Sequence, residues 1–371
     1  MKSKLKSIIM VLVTLATIIV LNSCSPMDQS ENSNGEPTLD GNMEPPSGGR
    51  ILYFDQREQF STAYWLMIMD GEGNKAQPLG EFTGSLAWSH SGKYIAIGCK
   101  DPEKLCVLDV ETIPDIRSFP AEWDSDKHDP LQPEIVRQLE LPQECHDLVS
   151  FSDGKLKSIS WSFDDEQLVI VCGNQKEGDV CILPLNDEPY CWQSPFGFPI
   201  ARVVWSPIEN KLAISGNETL NAKIYITDVN GDNPAFIADG WSATWSYDGA
   251  QLAYIAWEDG VVKWVNGIPQ TEGILYTGIA KIDLSNSEQE WIFKSSNVEF
   301  EWNKSFLTLV CEMLSDTCRL TWSPDGRYIA FSGKHGIAND WQIQRVDIET
   351  GDVVFLTLHT SHFFSEPDWG P

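Results

Sequence analysis

The sequence has few basic residues for its size, and this shortage limits the partners it can bind. Its 371 residues include 26 Lys and Arg against 54 Asp and Glu, which gives a formal net charge of −28. Nucleic-acid-binding proteins rely on basic patches to hold the phosphate backbone, so we expect no nucleic-acid partner. The simplest role of the acidic surplus is to keep the protein soluble through mutual repulsion.

The sequence also lacks the short motifs that indicate catalysis or a metal centre. It contains no G-x-S-x-G nucleophile elbow, no H-E-x-x-H motif and no C-x-x-C pair. A glycosidase-type carboxylate pair cannot be recognised among 54 acidic residues. His359 and His362, with Glu366 nearby, form only a weak metal-binding pattern. We therefore expect no enzymatic activity, no cofactor and no metal.

The apolar run at the N-terminus is too short for an ordinary membrane-spanning helix. It covers residues 8–21 and follows a start that contains three lysines, a pattern typical of a secretory signal. The next residues, LNSC at 21–24, resemble a bacterial lipobox, which implies cleavage before Cys24 and lipidation of that residue. An ordinary signal or a retained anchor helix is the alternative. We expect an exported protein, held on the cell membrane or outer membrane through Cys24.

Residues 24–49 are predicted to be a flexible acidic tether. From residue 25 they contain no Lys or Arg and almost no large apolar side chain, so they cannot bury enough surface to offset the entropy lost on ordering. The predicted division is a lipoprotein signal peptide at 1–23, the tether at 24–49 and one folded domain at 50–371. Loss of residues 1–23 removes three lysines and no acid, which changes the net charge from −28 to −31.

Eight cysteines remain besides Cys24, and an even number suits disulfides in an oxidising compartment. Six of them form three pairs that are close in sequence, and each pair is expected to face itself across a hairpin. These pairs are Cys99 with Cys106, Cys172 with Cys181, and Cys311 with Cys318. Cys145 and Cys191 remain and could bridge neighbouring units, although the sequence leaves their connectivity open. Metal thiolates are the alternative to disulfides.

One pattern recurs along the chain: a Trp-Ser pair, a polar turn and a short apolar strand. It is clearest in TWSPDGRYIAFSG at residues 321–333. The recurring tryptophans are Trp88, Trp161, Trp205, Trp245 and Trp322, with a truncated copy, EPDWGP, at Trp369. The intervals between them are 73, 44, 40, 77 and 47 residues, and a four-stranded propeller blade takes about 40–50 residues. We interpret the two long intervals as single units with insertions.

Each copy continues with a third strand that ends in Asp and a short last strand, which predicts four strands per unit. The folded domain begins with a second strand and ends with a Trp strand, so we expect the C-terminal strand to complete the N-terminal blade. Near-continuous apolar strands are expected where both faces of a sheet are buried between neighbours. The Pro-Asp-Gly residues would form a turn, and the tryptophans would fill the space between blades.

The repeat resembles that of a known family. The pattern W-S-P-D-G-[KR]-x-[IL]-A-[FY], with an I-Y-x-x-D strand after it, is similar to the TolB-type propeller repeat, which also occurs in the propeller domains of prolyl-oligopeptidase-like enzymes. The resemblance covers about residues 50–371. It implies an all-β, six-bladed TolB-like β-propeller closed by pairing of the C-terminal strand with the N-terminal blade. Because the sequence shows no separate N-terminal domain and has a predicted lipid anchor, the Tol–Pal function of TolB is not carried over.

The predicted binding face consists of the loops whose sequences differ from one copy of the repeat to the next. In a propeller, the loop after the second strand and the loop before the Trp strand lie on the same face, and rigid scaffolds usually carry binding groups on such loops. Two insertions, at 258–272 and 297–317, fall on this face. The candidate residues there are Arg57, Trp257, Trp264, Trp302, His335, His359 and His362. The alternative is that these tryptophans only pack the insertions onto the body.

These observations predict a membrane-anchored extracytoplasmic propeller that binds a protein or peptide partner at the cell envelope and has no catalytic role. The alternative is a carbohydrate-binding or polysaccharide-cleaving propeller that uses aromatic loops and channel histidines. The acidic charge argues against polyanionic substrates, since like charges repel. A structural envelope protein without an assignable activity is the third possibility.

Overall fold

The computed structural model describes the second of two units into which the chain divides, Glu44–Pro371. The described residues are 49–371 except 57–63, 102, 121–128, 147–155, 175–176, 197, 199, 217–221, 259–260, 266–267, 273–275, 295–318, 335–340 and 359–362. Within these ranges, no helix is long and apolar enough to cross a membrane.

The regular secondary structure of the described chain consists almost entirely of β-strands. In chain order these are β1 Arg50–Gln56, β2 Tyr64–Asp70, β3 Gln77–Trp88, β4 Tyr94–Gly98, β5 Lys104–Asp109, β6 Ile135–Glu140, β7 Ser158–Trp161, β8 Gln167–Asn174, β9 Glu177–Pro184, β10 Tyr190–Gln193, β11 Ile200–Trp205, β12 Lys211–Gly216, β13 Lys223–Asp228, β14 Ala235–Asp239, β15 Trp241–Trp245, β16 Gln251–Glu258, β17 Val261–Val265, β18 Ile268–Glu272, β19 Tyr276–Asp283, β20 Gln289–Lys294, β21 Leu320–Trp322, β22 Tyr328–Lys334, β23 Trp341–Asp347, β24 Val353–Phe355 and β25 Phe363–Gly370. Two 3-10 helices, Val110–Thr112 and Ile116–Ser118, and a short α-helix, α1 (Gln143–His146), lie between β5 and β7.

The strands pair into antiparallel sheets of the kind that the repeat predicts. Four sheets have four strands each, in the orders β10-β9-β8-β7, β11-β12-β13-β14, β15-β16-β19-β20 and β21-β22-β23-β24. A seven-stranded sheet has the order β25-β1-β2-β3-β4-β5-β6. It arises because β3 pairs with β2 through residues 77–82 and with β4 through residues 83–88. The strands β17 and β18 form a separate hairpin inside the predicted insertion at 258–272.

The apolar strands are buried on both faces, as the repeat predicts. In β4, Ile95 and Ile97 belong to a core cluster with residues of β1 and β2. Ala96, which points to the opposite face because successive side chains alternate, belongs to a cluster with β7 and β8. The last cluster along the chain joins β22 and β23 to β1, β2 and β25. Each sheet is thus packed between two neighbours.

The Pro-Asp-Gly stretch forms a turn that satisfies its own polar groups. The Ser323 hydroxyl accepts a hydrogen bond from the Tyr328 N–H at 2.8 Å and donates one to the Asp325 carboxylate at 2.5 Å. The same carboxylate accepts from the Arg327 N–H at 3.0 Å, and Gly326 takes the left-handed conformation with φ 71°. These contacts confirm that the Pro-Asp-Gly stretch forms a turn.

The repeat tryptophans connect neighbouring sheets by hydrogen bonds as well as by packing. In three cases the indole Nε1–H donates to the carbonyl of the residue before the preceding repeat tryptophan. These bonds are Trp161 to Ala87 at 3.1 Å, Trp245 to Val204 at 3.1 Å and Trp322 to Thr244 at 3.3 Å. The Trp strands are therefore tied to one another along their inner edges.

The two ends of the described chain lie side by side. The last strand, β25, pairs antiparallel with β1 from Arg50↔Gly370 to Gln56↔Phe363. The Arg50 guanidinium also lies 4.9 Å from the ring centroid of Trp88 and donates to the Pro371 carbonyl at 3.4 Å. Pairing of β25 supplies β1 with a second neighbour and leaves it no free sheet edge.

Candidate binding cavity

The side chains of the predicted binding face lie outside the part of the chain that the structure describes. Arg57, Trp302, His335, His359 and His362 lie outside the described residues, as does the predicted lipidation site Cys24. Trp257 lies in β16 and Trp264 lies in β17 opposite Pro269, but their side chains are not described. These seven residues of the binding face therefore stay a prediction.

The disulfides differ in part from the hairpin pairs expected from the sequence. The pair Cys99–Cys106 is bonded across the β4–β5 hairpin, as predicted. The pairing of Cys172 with Cys181 is wrong, because Cys172 is bonded to Cys145 and Cys181 is bonded to Cys191. The cause is register: Cys181 lies opposite Cys191 on β10 and opposite Ile170 on β8. Cys311 and Cys318 lie outside the described residues.

A cavity of about 80 Å³ lies at the ends of the Trp strands, on the side of the Pro-Asp-Gly turns. Its wall contains the residue that precedes each of the six repeat tryptophans. These residues are Ala87, Ser160, Val204, Thr244, Thr321 and Asp368. Arg202 and Arg319, three positions before a tryptophan, also reach it, as do His90 and Tyr247, two positions after one. We call this space the central cavity.

Strand periodicity explains why these positions share the cavity. Side chains alternate between the two sides of a strand, so the first and third residues before a tryptophan point away from the tryptophan ring and in the same direction. In two copies, a hydroxyl at the first position accepts a hydrogen bond from the backbone N–H of the next repeat tryptophan. Ser160 accepts from Trp205 at 3.0 Å, and Thr321 accepts from Trp369 at 3.0 Å.

Asp368 occupies this same position but brings a negative charge. Its carboxylate accepts from the Trp88 N–H at 2.6 Å and lies 3.1 Å from the Arg319 guanidinium. The Arg319 side chain is almost fully buried and also donates to the Leu86 carbonyl. A hydroxyl would suffice for the backbone contact, so the carboxylate has the additional effect of neutralising Arg319.

The second guanidinium in the central cavity, that of Arg202, forms no ion pair with a carboxylate among the described residues. The Nη2 atom of Arg202 donates to the Leu320 carbonyl at 3.0 Å. Burial, and then the nearby charge of Arg319, lower the pKa of Arg202 to about 9, while Asp368 and Glu366 oppose that shift. Arg202 therefore remains charged at neutral pH, with Asp368 and Glu366 as the carboxylates that act on it electrostatically.

The other two titratable groups of the cavity wall, His90 and Tyr247, each donate a hydrogen bond to a backbone carbonyl. Burial is the main cause that lowers the pKa of His90, and its ring Nδ1 lies 3.1 Å from the Ser162 carbonyl, so Nδ1 carries the proton of a neutral imidazole. The Tyr247 hydroxyl donates to the Trp369 carbonyl at 2.8 Å, and burial raises the pKa of Tyr247.

Sequence reasoning assigned this end of the strands a purely structural role and so missed these residues. A signal was present, because Arg202, Arg319 and Asp368 are charged residues one or three positions before a repeat tryptophan. Aligning the copies on their tryptophans would have placed all three on the side of the strand opposite the tryptophan ring. The turn itself is structural, but the residues that flank it line the cavity.

A larger groove of about 710 Å³ lies between β2–β3 and β6. The residues that line it include two aromatic residues, Trp65 and Phe82, and two amide residues, Gln132 and Gln138. Gln132 has a left-handed backbone with φ 49°, and its N–H donates to the Leu79 carbonyl at 3.0 Å. We call this space the side groove.

Comparison with known proteins supports the fold. No family model and no curated protein sequence matches the chain. The crystal structure of TolB from Acinetobacter baumannii is similar, with a TM-score of 0.57 and 14% identity over 87% of this chain and 67% of that one. The chain has a TolB-like propeller fold. A putative TolB from Agrobacterium tumefaciens (TM-score 0.48, 14% identity, 88% of this chain and 100% of that one) and an oligogalacturonate lyase in complex with manganese (TM-score 0.46, 13% identity, 78% and 70%) are more distant.

Proposed function

We propose that this chain is a non-catalytic six-bladed β-propeller of the bacterial cell envelope, anchored through a lipidated Cys24, that binds a protein or peptide partner. The blade count follows if the seven-stranded sheet is divided at β3 into two blades, with β25 closing the first. Six repeat tryptophans that each contribute a neighbour to the central cavity support this division. The TolB-like fold supports the comparison with a protein-binding envelope propeller.

The size of the central cavity is the observation from which we infer that the partner is a protein or peptide. Pockets for small molecules usually have volumes of about 300–1,000 Å³, and the central cavity has only about 80 Å³. A space of this size accepts the tip of one side chain or a chain terminus, while the rest of the ligand stays outside. That geometry suits a protein or peptide whose larger surface rests on the rim.

The charges in the central cavity favour a carboxylate at that tip. Guanidinium groups bind carboxylates through paired N–H donors, and within the described part of the chain Arg202 is charged without an ion-pair partner. The surplus of acidic residues in the chain repels acidic molecules at long range. We therefore infer a partner that is not strongly acidic overall and that inserts a single acidic side chain or C-terminal carboxylate.

The test uses recovery of partners from solubilised membranes with the full chain as bait. Arg202→Met removes the charge that has no contacting counterion, and Lys211→Met is the matched control, since Lys211 forms only an exposed pair with Asp228 at 3.5 Å. We expect the Arg202→Met protein to lose a partner that the Lys211→Met protein retains. Equal recovery by both would overturn the assignment to the central cavity. If the partner is lost with a Trp257→Ala/Trp264→Ala double variant instead, binding lies on the predicted binding face and not at the central cavity.

Carbohydrate binding is the second candidate function, and the side groove favours it. Aromatic rings stack on the apolar faces of sugars while amides bind their hydroxyls, and both kinds of group line a groove whose volume is in the usual ligand range. Glycan-array binding of the Phe82→Ala protein should then fall, whereas Phe236→Ala, which removes an exposed ring on β14, should have no effect. Absence of binding to neutral glycans by the unaltered protein would exclude this candidate.

A further inference from the structure

Four of the described cysteines form one cluster that joins α1, β8, β9 and β10. Its bonds are Cys145–Cys172 and Cys181–Cys191. The sulfur atoms of Cys145, Cys172 and Cys181 all lie within 4.8 Å of one another. A disulfide has a sulfur–sulfur distance of about 2 Å, so a new bond between the two existing disulfides requires a sulfur shift of under about 3 Å, which a side-chain rotation can provide.

A second pairing is therefore within reach of the same four residues. Cys172 lies opposite Asp179 in the β8–β9 pairing, and Cys181 lies opposite Ile170. The two cysteines are thus offset by two residues along the hairpin and point to the same face of it. The hairpin disulfide between Cys172 and Cys181, absent from the structure, is the alternative to the pairing that is present.

The cluster has one accessible entrance. Cys181 is completely buried, and Cys145 and Cys172 are 5% and 3% exposed. Cys191 is partly exposed on β10, the outermost strand of its sheet. A thiolate from outside the protein can therefore attack Cys191 but not the other three sulfurs.

We propose that these four cysteines form a thiol–disulfide exchange site, entered at Cys191 by a dithiol reductant such as a dithiol oxidoreductase of the same compartment. The external thiolate attacks the Cys191 sulfur, the Cys181–Cys191 bond breaks, and its electron pair leaves on Cys181. The second thiol of the reductant then displaces Cys191 as a thiolate and leaves the reductant as a disulfide. These steps transfer two electrons to the protein.

The thiolate on Cys181 is then placed to continue the exchange inside the protein. It attacks the Cys172 sulfur, a Cys172–Cys181 bond forms, and Cys145 leaves as a thiolate that takes a proton from water. The product holds one disulfide, Cys172–Cys181, and two thiols, on Cys145 and Cys191. Since Cys145 lies on α1, the exchange cuts the covalent link between α1 and β8 while the β8–β9 hairpin stays bonded.

The disulfide Cys99–Cys106 is an internal reference. In the part of the chain that the structure describes, no third cysteine joins it in a cluster. Exchange within the protein is therefore expected at the four-cysteine site and not at the β4–β5 hairpin.

Disulfide mapping of the full, detergent-solubilised protein tests the proposal. The protein is treated briefly with dithiothreitol as the dithiol, free thiols are alkylated, and linked peptides are identified by mass spectrometry after digestion. We expect a Cys172–Cys181 linkage together with alkylated Cys145 and Cys191. An intact Cys145–Cys172 linkage with alkylated Cys181 and Cys191 would overturn the proposal, as would reduction of both bonds without a new linkage.

A variant separates the internal step from the entry step. Cys191→Ser leaves Cys181 as a thiol beside the Cys145–Cys172 bond, so we expect the Cys172–Cys181 linkage and a free Cys145 without any reductant. Cys181→Ser is the matched control, because it leaves the free thiol on Cys191 and removes the internal nucleophile. Retention of Cys145–Cys172 in both variants would contradict the exchange. Should Cys191→Ser fail to fold, the mapping of the unaltered protein still decides.

Discussion

The Arg319 guanidinium lies 3.1 Å from the Asp368 carboxylate and ties β21 to β25. The same carboxylate accepts a hydrogen bond from the Trp88 N–H in β3. A single side chain thus joins the last strand of the sequence to a strand on each side of it. Both side chains of the ion pair are mostly buried, at 10% and 14% exposure, so each depends on the other for compensation of its charge.

Replacing Asp368 by Asn is expected to destabilise the fold by about 3 kcal/mol. Asn keeps an oxygen for the Trp88 N–H but leaves Arg319 as a buried charge without its counterion, and removal of one partner of a buried pair has about this effect. The midpoint of urea unfolding measures the change. Adding Arg319→Met to the Asn variant should cost little more, since the pair acts as a unit. Fully additive losses would contradict this coupling.

The stability of the protein should fall as the pH drops through the range just below 6.5, and His90 should account for part of the fall. Burial lowers the pKa of His90 from its ordinary 6.5, so the unfolded chain takes up a proton before the folded chain does. Stability is then full above pH 6.5 and is lost between that value and the lower folded pKa.

Unfolding midpoints at pH 7.5 and pH 5 test the role of His90. A His90→Asn variant keeps an N–H donor near the Ser162 carbonyl but has no titratable ring. The difference between the two pH values should shrink in that variant. An unchanged difference would assign the pH dependence to other groups.

Two tryptophans offer a matched comparison of the indole hydrogen bond. Trp161 and Trp205 are both buried. Trp161 donates its Nε1–H to the Ala87 carbonyl, while the Nε1 of Trp205 has no acceptor among the described residues. Both Phe variants lose ring volume, so the difference between them isolates the bond. We expect Trp161→Phe to cost about 1 kcal/mol more than Trp205→Phe in urea unfolding. Equal losses would show that packing alone matters at this position.

Two turn glycines separate backbone strain from steric contact. Both have a positive φ, 71° at Gly326 and 84° at Gly231. A Cβ atom at Gly326 would meet nothing within 4 Å, whereas one at Gly231 would lie 2.8 Å from the Trp192 ring. Gly326→Ala should therefore cost about 1 kcal/mol from the left-handed conformation alone. Gly231→Ala should cost clearly more in the same thermal or urea measurement, and the reverse order would be inconsistent with this packing.

The strands and turns of the repeat are local features, and the sequence predicts them well. The apolar strand expected after the turn that follows Trp88 is present at Tyr94–Gly98, because its turn residues and apolar run are adjacent in the chain. The disulfide partner of Cys172 could not be predicted in this way. Cys145 is 27 residues away and reaches Cys172 through the placement of α1 against β8, which no short pattern encodes.

The central cavity was missed for a related reason. Arg202, Arg319 and Asp368 come together only after strands far apart in sequence converge, and each residue by itself is an ordinary exposed-type side chain. Arg202 and Arg319 each lie three positions before a repeat tryptophan and Asp368 lies one position before another. Whether that side of the strand faces an interior space depends on how the sheets are arranged. The charged residues could therefore be noticed in the sequence, but only the structure shows that they line one cavity.

The pairing of β25 with β1 affects how the protein is made. The contact between Arg50 and Pro371 joins positions 321 residues apart, so β1 emerges from the ribosome long before its partner strand exists. Contacts this distant in sequence form slowly because a long loop must close first. Until then β1 carries an unpaired edge that can aggregate with other chains. A holdase chaperone in the compartment where the chain folds would matter most in this interval.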